Sequence, residues 1–336
     1  MGHRVLEPTH SLDPGPGLLS GDVVISLRSH AISLAAVFLA LAIGVALGSG
    51  LLSETVMSGL RDDKHEMQTQ IDSLTEDKNA LNEQLSAAGD FDAQMAPRIL
   101  RASLADKSVI LFRTPDAVDG DIDALTRVVE LAGGRVTGTV GLTQEFVDAH
   151  SSEKLLSVVN SPIVPAGAQL STGSIDQGAQ AGDLLGIALL VNRDVKVTPV
   201  DDAARDTVLT ALRDTGFITY DAQLTGASNT ALIVTGGALG DDAGNQGATV
   251  ARFADGLAPH GSGTVLVGRA GSASGTSAVA VARSDAALNS VVSTVDDVDR
   301  ESGRITSVLA LTDLINGGRP GQFGTGPGAT AVTVPQ

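Results

Sequence analysis

Hydrophobic positions fall into three regimes along the chain. From Ala31 to Leu52 the run AISLAAVFLALAIGVALGSGLL carries no charged side chain for 22 residues, about 33 Å as a helix and enough to cross a hydrocarbon core. It predicts a transmembrane helix over 31–52. A cleaved signal peptide competes with this reading. Its cleavage site at Ala46-Leu47-Gly48 is poor, the run is longer than a signal core, and a helical repeat follows directly. Ala36, Ala40, Gly44 and Gly48 recur every four residues, Gly44 and Gly48 as a GxxxG pair. This small-residue stripe lets two helix backbones approach, although Ala and Gly are also simply abundant here.

The second regime is a heptad repeat. Met57, Leu60, Lys64, Met67, Ile71, Leu74, Lys78, Leu81 and Leu85 alternate spacings of three and four, the a/d seam of a coiled coil expected over 53–88. Lys64 and Lys78 at a positions disfavour large assemblies, so a parallel homodimer is the simplest outcome. The competing reading is one amphipathic helix docked on its own domain; the narrow seam and polar flanks favour pairing. Ala87-Ala88-Gly89-Asp90 reads as the helix stop.

From about Lys107 short β-branched runs alternate with helical stretches. Strands are expected at Val109–Phe112, 135–140, 231–234, 264–267, 278–282 and 291–295, and helices at 118–131, 144–160, 179–191, 201–215, 246–258 and 305–315. Alternation of this kind implies a mainly parallel sheet covered on both faces, a Rossmann-like α/β domain over 91–320. Residues 1–30 read as a flexible tail, with a mis-assigned start and a true initiator at Val24 as the alternative, and the Gly- and Pro-rich 321–336 as a disordered tail.

Charge and composition narrow the function. The net charge is −17, with no basic cluster to offset it, which excludes nucleic acid as a partner. Lys and Arg are nearly balanced across the membrane segment, and Arg28 and His30 before it place the short N-terminus inside and the bulk of the chain outside. There is no cysteine, hence no disulfide framework, thiolate site or cysteine nucleophile. Eight aromatic residues without Trp are too few for the two girdles of a membrane β-barrel.

Candidate chemistry is sparse. Gly236, Gly237 and Gly240 follow a predicted strand, but no Gly-Lys-Ser/Thr accompanies them and Asp241 and Asp242 would repel phosphate, so a structural turn is expected. His3, His10, His30, His65, His150 and His260 are scattered without ligand spacing, and His65 and Met67 point to different faces of one helix. The pairs Asp201-Asp202 and Asp296-Asp297 read as helix caps or solvated charge rather than cation sites. No constellation points to an enzyme, and no cofactor site emerges.

The stretch ISLRSHAISLAAVFLALAIGVALGSG (residues 25–50), with Leu60-Arg61-Asp62-Asp63-Lys64, the heptads, Val291 to Asp299, Gly303-Arg304-Ile305 and Asn316-Gly317-Gly318, resembles the actinobacterial MctB family over residues 25–320. The resemblance implies copper transport and homeostasis at the cell envelope, with efflux through the outer membrane and the copper ion as the species handled. It also supports a start near Val24. A second reading is a dimeric envelope scaffold that binds a membrane partner or regulates a peptidoglycan hydrolase in cell division, a role associated with related actinobacterial proteins.

Overall fold

The computed structural model describes residues 27–48, 51–173, 176–221, 224 and 226–335, without the side chains of residues 27 and 51–60. The tail over 1–23, the start at Val24, and Ser49 and Gly50 of the expected membrane segment lie outside the described residues. Internal contacts divide the chain into two units, Met1–Leu81 and Asn82–Gln336.

The first unit contains helix α1 (Leu27–Gly48) and the longer part of helix α2 (Leu51–Ile99). The segment Arg28–Gly48 is long and apolar enough to cross a membrane, and its residues are exposed. Within α2, residues 61–88 are exposed throughout. The stop expected at Ala87-Ala88-Gly89-Asp90 does not occur, because helix-forming Ala93, Gln94, Met95 and Ala96 follow and Ala96 is buried together with Leu100. Burial of the last turn outweighs the roughly 1 kcal/mol cost of one internal glycine.

The second unit runs β1 (Ser108–Arg113), α3 (Asp119–Leu131), β2 (Arg135–Leu142), α4 (Gln144–Val147), α5 (Ser152–Val159), α6 (Gln177–Leu189), α7 (Asp202–Asp214), β3 (Ile218–Tyr220) and β4 (Thr230–Val234). It continues with α8 (Gln246–Leu257), β5 (Thr264–Val267), α9 (Ala278–Ser284), α10 (Ala286–Asn289), β6 (Ser293–Val295), α11 (Glu301–Ile315) and β7 (Gln322–Phe323). The seven strands lie in the order β3-β2-β1-β4-β5-β6-β7. Every neighbouring pair is parallel except β2 with β3, where Val140 faces Tyr220. Alternate residues supply the two faces. Ile110, Phe112, Ala231, Ile233 and Leu266 join the core beneath α4 to α9, whereas Val109, Leu111, Leu232, Val234, Val265 and Val267 join the core with α3, α11 and the end of α2. Both faces are covered, which is why β1, β4 and β5 read as unbroken apolar runs.

Four expectations change. The expected strand at 278–282 is helix α9: an AVAVA run is apolar at every position and marks no face, and Ala278, Val279 and Ala282 are buried at helical spacing. The strand expected over 291–295 shortens to β6, because the Val291 and Val292 N–H groups bond back to Leu288. The helix expected over 144–160 breaks where extended Asp148 caps a short turn by accepting from His150 N–H. The tail expected to be disordered carries β7, with Phe323 buried and Val295 paired beside it.

Helices α6 and α8 meet backbone to backbone. A methyl group on Gly182 would lie 2.2 Å from the Phe253 carbonyl oxygen, and one on Gly256 would lie 2.0 Å from that of Ala179. This approach seats the Phe253 ring edge-on to Phe112 and Phe146, at centroid distances of 5.1 and 5.5 Å. Gly182→Ala is therefore expected to destabilise the full chain by about 2–3 kcal/mol through overpacking. Gly89→Ala, with nothing within 4 Å of the added carbon, should leave stability unchanged or raise it by about 0.5–1 kcal/mol. Urea denaturation of both variants checks the pair, and equal effects would contradict the close contact.

Candidate functional site

A group of charged residues in unit two gathers around the segment after β6. This strand is fully buried, and the chain leaving it, Asp296-Asp297-Val298-Asp299-Arg300-Glu301, runs into α11. Asp296 and Asp297 are only 2% and 3% exposed. Neither caps a helix or meets bulk solvent, so the expectation of solvated charge fails for this pair. Asp201, by contrast, does cap α7 by accepting from Ala204 N–H at 2.8 Å, and Asp202 pairs with Arg205.

Asp296 forms a buried ion pair with Arg283 of α9 and accepts from the N–H groups of Thr325 and Gly326. The same guanidinium donates to Thr294 Oγ1 (2.9 Å), Phe323 O (2.7 Å) and Pro327 O (2.9 Å). One arginine thus ties α9 to β6 and to the C-terminal segment. Removing either partner would strand a charge in the interior.

Asp297 has no such partner: its Oδ1 is buried without a hydrogen bond. Burial first, and then the neighbouring Asp296 charge, push its carboxyl up to about 6, against a smaller opposing pull from Arg300. Beside it, Arg304 of α11 donates to Asp121 at 3.3 Å and to Glu301 at 3.3 Å. Arg269 also reaches Asp121, and Arg127 reaches both Glu301 carboxylate oxygens at 2.9 and 2.8 Å. The result is a network joining α3, the segment after β5 and α11. A groove of about 600 Å³ opens beside it, lined by Leu85, Asp90 and Asp92 of α2 and by Arg300, Ser302 and Arg304.

The glycine loop after β4 holds a second polar cluster. Gly236 N–H (2.9 Å), Thr235 Oγ1 (3.2 Å) and Thr114 Oγ1 (2.5 Å) all donate to the Asp116 carboxylate. The glycines lie in an irregular loop with a bend at Gly237, and the carboxylate that meets it comes from the loop after β1. Nothing in the spacing of Asp116 from Gly236 could signal that meeting.

Among the described residues, soft metal donors are not gathered. His150 bonds Asp148, His260 Nε2 lies 2.5 Å from the buried Asp183, and Met67 is exposed. Among the described residues, no three His, Cys, Asp or Glu side chains are placed to hold a metal ion. The stripe Ala36, Ala40, Gly44 and Gly48 is exposed along α1. Met57 and Leu60 lie in α2 with side chains outside the described part, while Lys64, Met67, Ile71, Leu74, Lys78, Leu81 and Leu85 are exposed. The residues that sequence reasoning missed, Asp121 and Arg127 of α3, Arg269 after β5, Arg283 of α9 and Arg304 of α11, come from four separate parts of the chain. The one legible signal was the density of acids and arginines directly after a predicted strand.

The protein-family model described as "Copper transport outer membrane protein, MctB" matches residues 24–334. The copper transporter MctB of Mycobacterium tuberculosis (strain ATCC 25618 / H37Rv) is 62% identical over 314 residues, which is 93% of this chain and 100% of that protein. The copper transporter MctB of Mycobacterium leprae (strain TN) is 62% identical over 317 residues, with the same shares covered.

Asp297 predicts a pH dependence. Its pKa is higher folded (about 6) than the ordinary 3.8, so its contribution to stability is fully present below about pH 4 and is lost as pH rises through about 6. Asp297→Asn is expected to stabilise the chain at pH 7.5 by roughly 2–3 kcal/mol and to lose that advantage toward pH 4. Thermal denaturation of variant and wild type across this range measures the difference; a gap that does not vary with pH would contradict the buried ionisation.

Proposed function

The chain belongs to the MctB family, and from that premise we propose that it is a single-pass envelope protein acting in copper transport. The observation that carries this reading is the 62% identity to proteins named copper transporters along their whole length. Copper is the cargo in this reading. Because the described His and Met side chains are dispersed, the residues seen here hold the assembly together rather than cage the ion. Helix α1 anchors the chain, its stripe Ala36, Ala40, Gly44 and Gly48 packs against another helix, and the bulk of the chain lies outside the membrane as a Rossmann-like head. The family description points to the outer membrane, although the described residues offer a helix rather than barrel strands for crossing.

Helix α2 carries the homodimer in this reading. Met67, Ile71, Leu74, Leu81 and Leu85 are between 47% and 67% exposed on a helix of 49 residues, an apolar seam that pairing with a second copy would bury. The same seam favours the second reading, a dimeric scaffold for a membrane partner or a peptidoglycan hydrolase in cell division. The two readings share the stalk and differ in what the head serves.

In a mycobacterial strain lacking its own MctB and grown in copper, expression of this chain is expected to return cell-associated copper to the parental level. A version with α1 removed should not. Unchanged copper in the complemented strain, together with a protein partner recovered by crosslinking, would favour the scaffold. Because the chain has no cysteine, Leu74→Cys should give a disulfide-linked dimer under mild oxidation, and Glu76→Cys, off the seam, a much smaller yield. Equal yields would argue against the parallel coiled coil.

A further inference from the structure

Strand order runs in opposite directions from the β1–β4 pair, β2 and β3 to one side and β5, β6 and β7 to the other. The segments leaving the carboxyl ends of β1 and β4 therefore part, and in open, mainly parallel sheets the crevice between such segments is the usual place for a ligand. Here it is nearly closed. The remaining cavity is about 10 Å³ and is lined by Thr114, Asp116, Thr235, Leu239 and, from the first turn of α8, Gln246 and Gly247. That is room for no more than a single water.

The side chain that closes it is an acid on a set of donors. Thr114 and Thr235 are buried at the strand ends, whereas Asp116 is an exposed residue whose carboxylate reaches in from the surface. Three donors, Thr114 Oγ1, Thr235 Oγ1 and Gly236 N–H, converge on it. Gly236 keeps the approach open, since a methyl group there would lie 2.5 Å from the Asp116 carbonyl oxygen and 2.7 Å from Oδ2. Asp241 and Asp242, which argued against an anion here, are exposed. Cationic groups flank the strand ends: Arg113 pairs with Asp119, and Arg269, whose backbone N–H donates to Gly236 O, pairs with Asp121.

We propose that Thr114, Thr235 and Gly236 form an oxyanion cradle that the chain's own Asp116 occupies. A phosphate or carboxylate group of a ligand takes its place when the Asp116 side chain rotates outward. The physical warrant is satisfaction. Gly236 N–H and the buried Thr235 hydroxyl, aimed at one point, require an acceptor there; the Thr114 hydroxyl, which can also donate to Val234 O at 3.2 Å, adds a third donor, and a surface aspartate is an acceptor that can leave without unpacking the core. The inference is independent of the copper reading, because it concerns the opposite side chemistry, an anion and hard donors.

The test uses the full-length protein in detergent. Asp116→Ala empties the cradle. In about 20 mM inorganic phosphate its thermal midpoint is expected to rise by about 3 °C or more over chloride of equal ionic strength, with a smaller rise for wild type. Acetate in place of phosphate distinguishes a carboxylate from a phosphoryl ligand. The double variant Asp116→Ala with Thr235→Val should lose the response. A folded Asp116→Ala that responds to neither anion, or a response that survives Thr235→Val, overturns the proposal. Asp116→Ser serves as a second vacated cradle; if neither single variant folds, the carboxylate is a structural staple and the proposal fails.

Discussion

The sheet's wider flank depends on two helices touching without side chains between them. With only eight aromatic residues in the chain, large rings cannot fill the space over one face of the sheet, and packing density has to come from close approach instead. Gly182 and Gly256 let α6 and α8 come together until a single methyl would collide with a carbonyl. That contact sets the height of the layer over Ile110, Phe112 and Ile233, and it decides where Phe253 meets Phe112 and Phe146. Three of the seven phenylalanines are thus concentrated where the small residues leave a gap.

Beyond the carboxyl end of β6, charge joins elements that the two apolar cores do not. Arg283 and Asp296 join α9, β6 and the C-terminal segment in one buried pair, and Asp121, Arg127, Arg269, Glu301 and Arg304 do the same for α3 and α11. The Arg283–Asp296 pair is buried on both sides, whereas Arg127 and Arg269 keep their guanidinium groups partly in solvent; a fully buried pair adds less net stability than apolar residues of equal volume but tolerates little rearrangement, because each partner loses its compensation when the other moves. Asp297 is the exception within the cluster, a carboxyl raised to about 6 with a bare oxygen facing the interior. The loop after β6 is therefore geometrically locked and electrostatically strained at neutral pH.

The two N-terminal helices pose a different physical problem from the α/β unit. Helix α1 and residues 61–88 of α2 bury almost nothing within one chain and leave their apolar positions exposed. Membership of the MctB family connects such an architecture with copper, while the described part of the head offers hard oxygen and guanidinium groups rather than soft donors.

Periodicity along the chain was enough for the local elements wherever one period dominated. The uncharged run of α1 and the spacing of apolar positions over residues 61–88 of α2 are legible although both stay exposed, while the apolar runs of β1, β4 and β5 and the amphipathic α3, α7 and α8 are readable because burial on one face or two imposes a repeat. Where every position is apolar, as in AVAVA of α9, or where an element is two or three residues long, as in β3 and β7, no repeat exists to read and only neighbours decide. The candidate sites belong to that second kind. Asp116 meets Gly236, and Arg283 meets Asp296 and Pro327, because the strand order β3-β2-β1-β4-β5-β6-β7 brings separate loops to one end of the sheet. Local sequence determines which backbone period a segment adopts, since that depends on its own side chains; long-range contacts determine which charges share an interior, since that depends on where the chain returns.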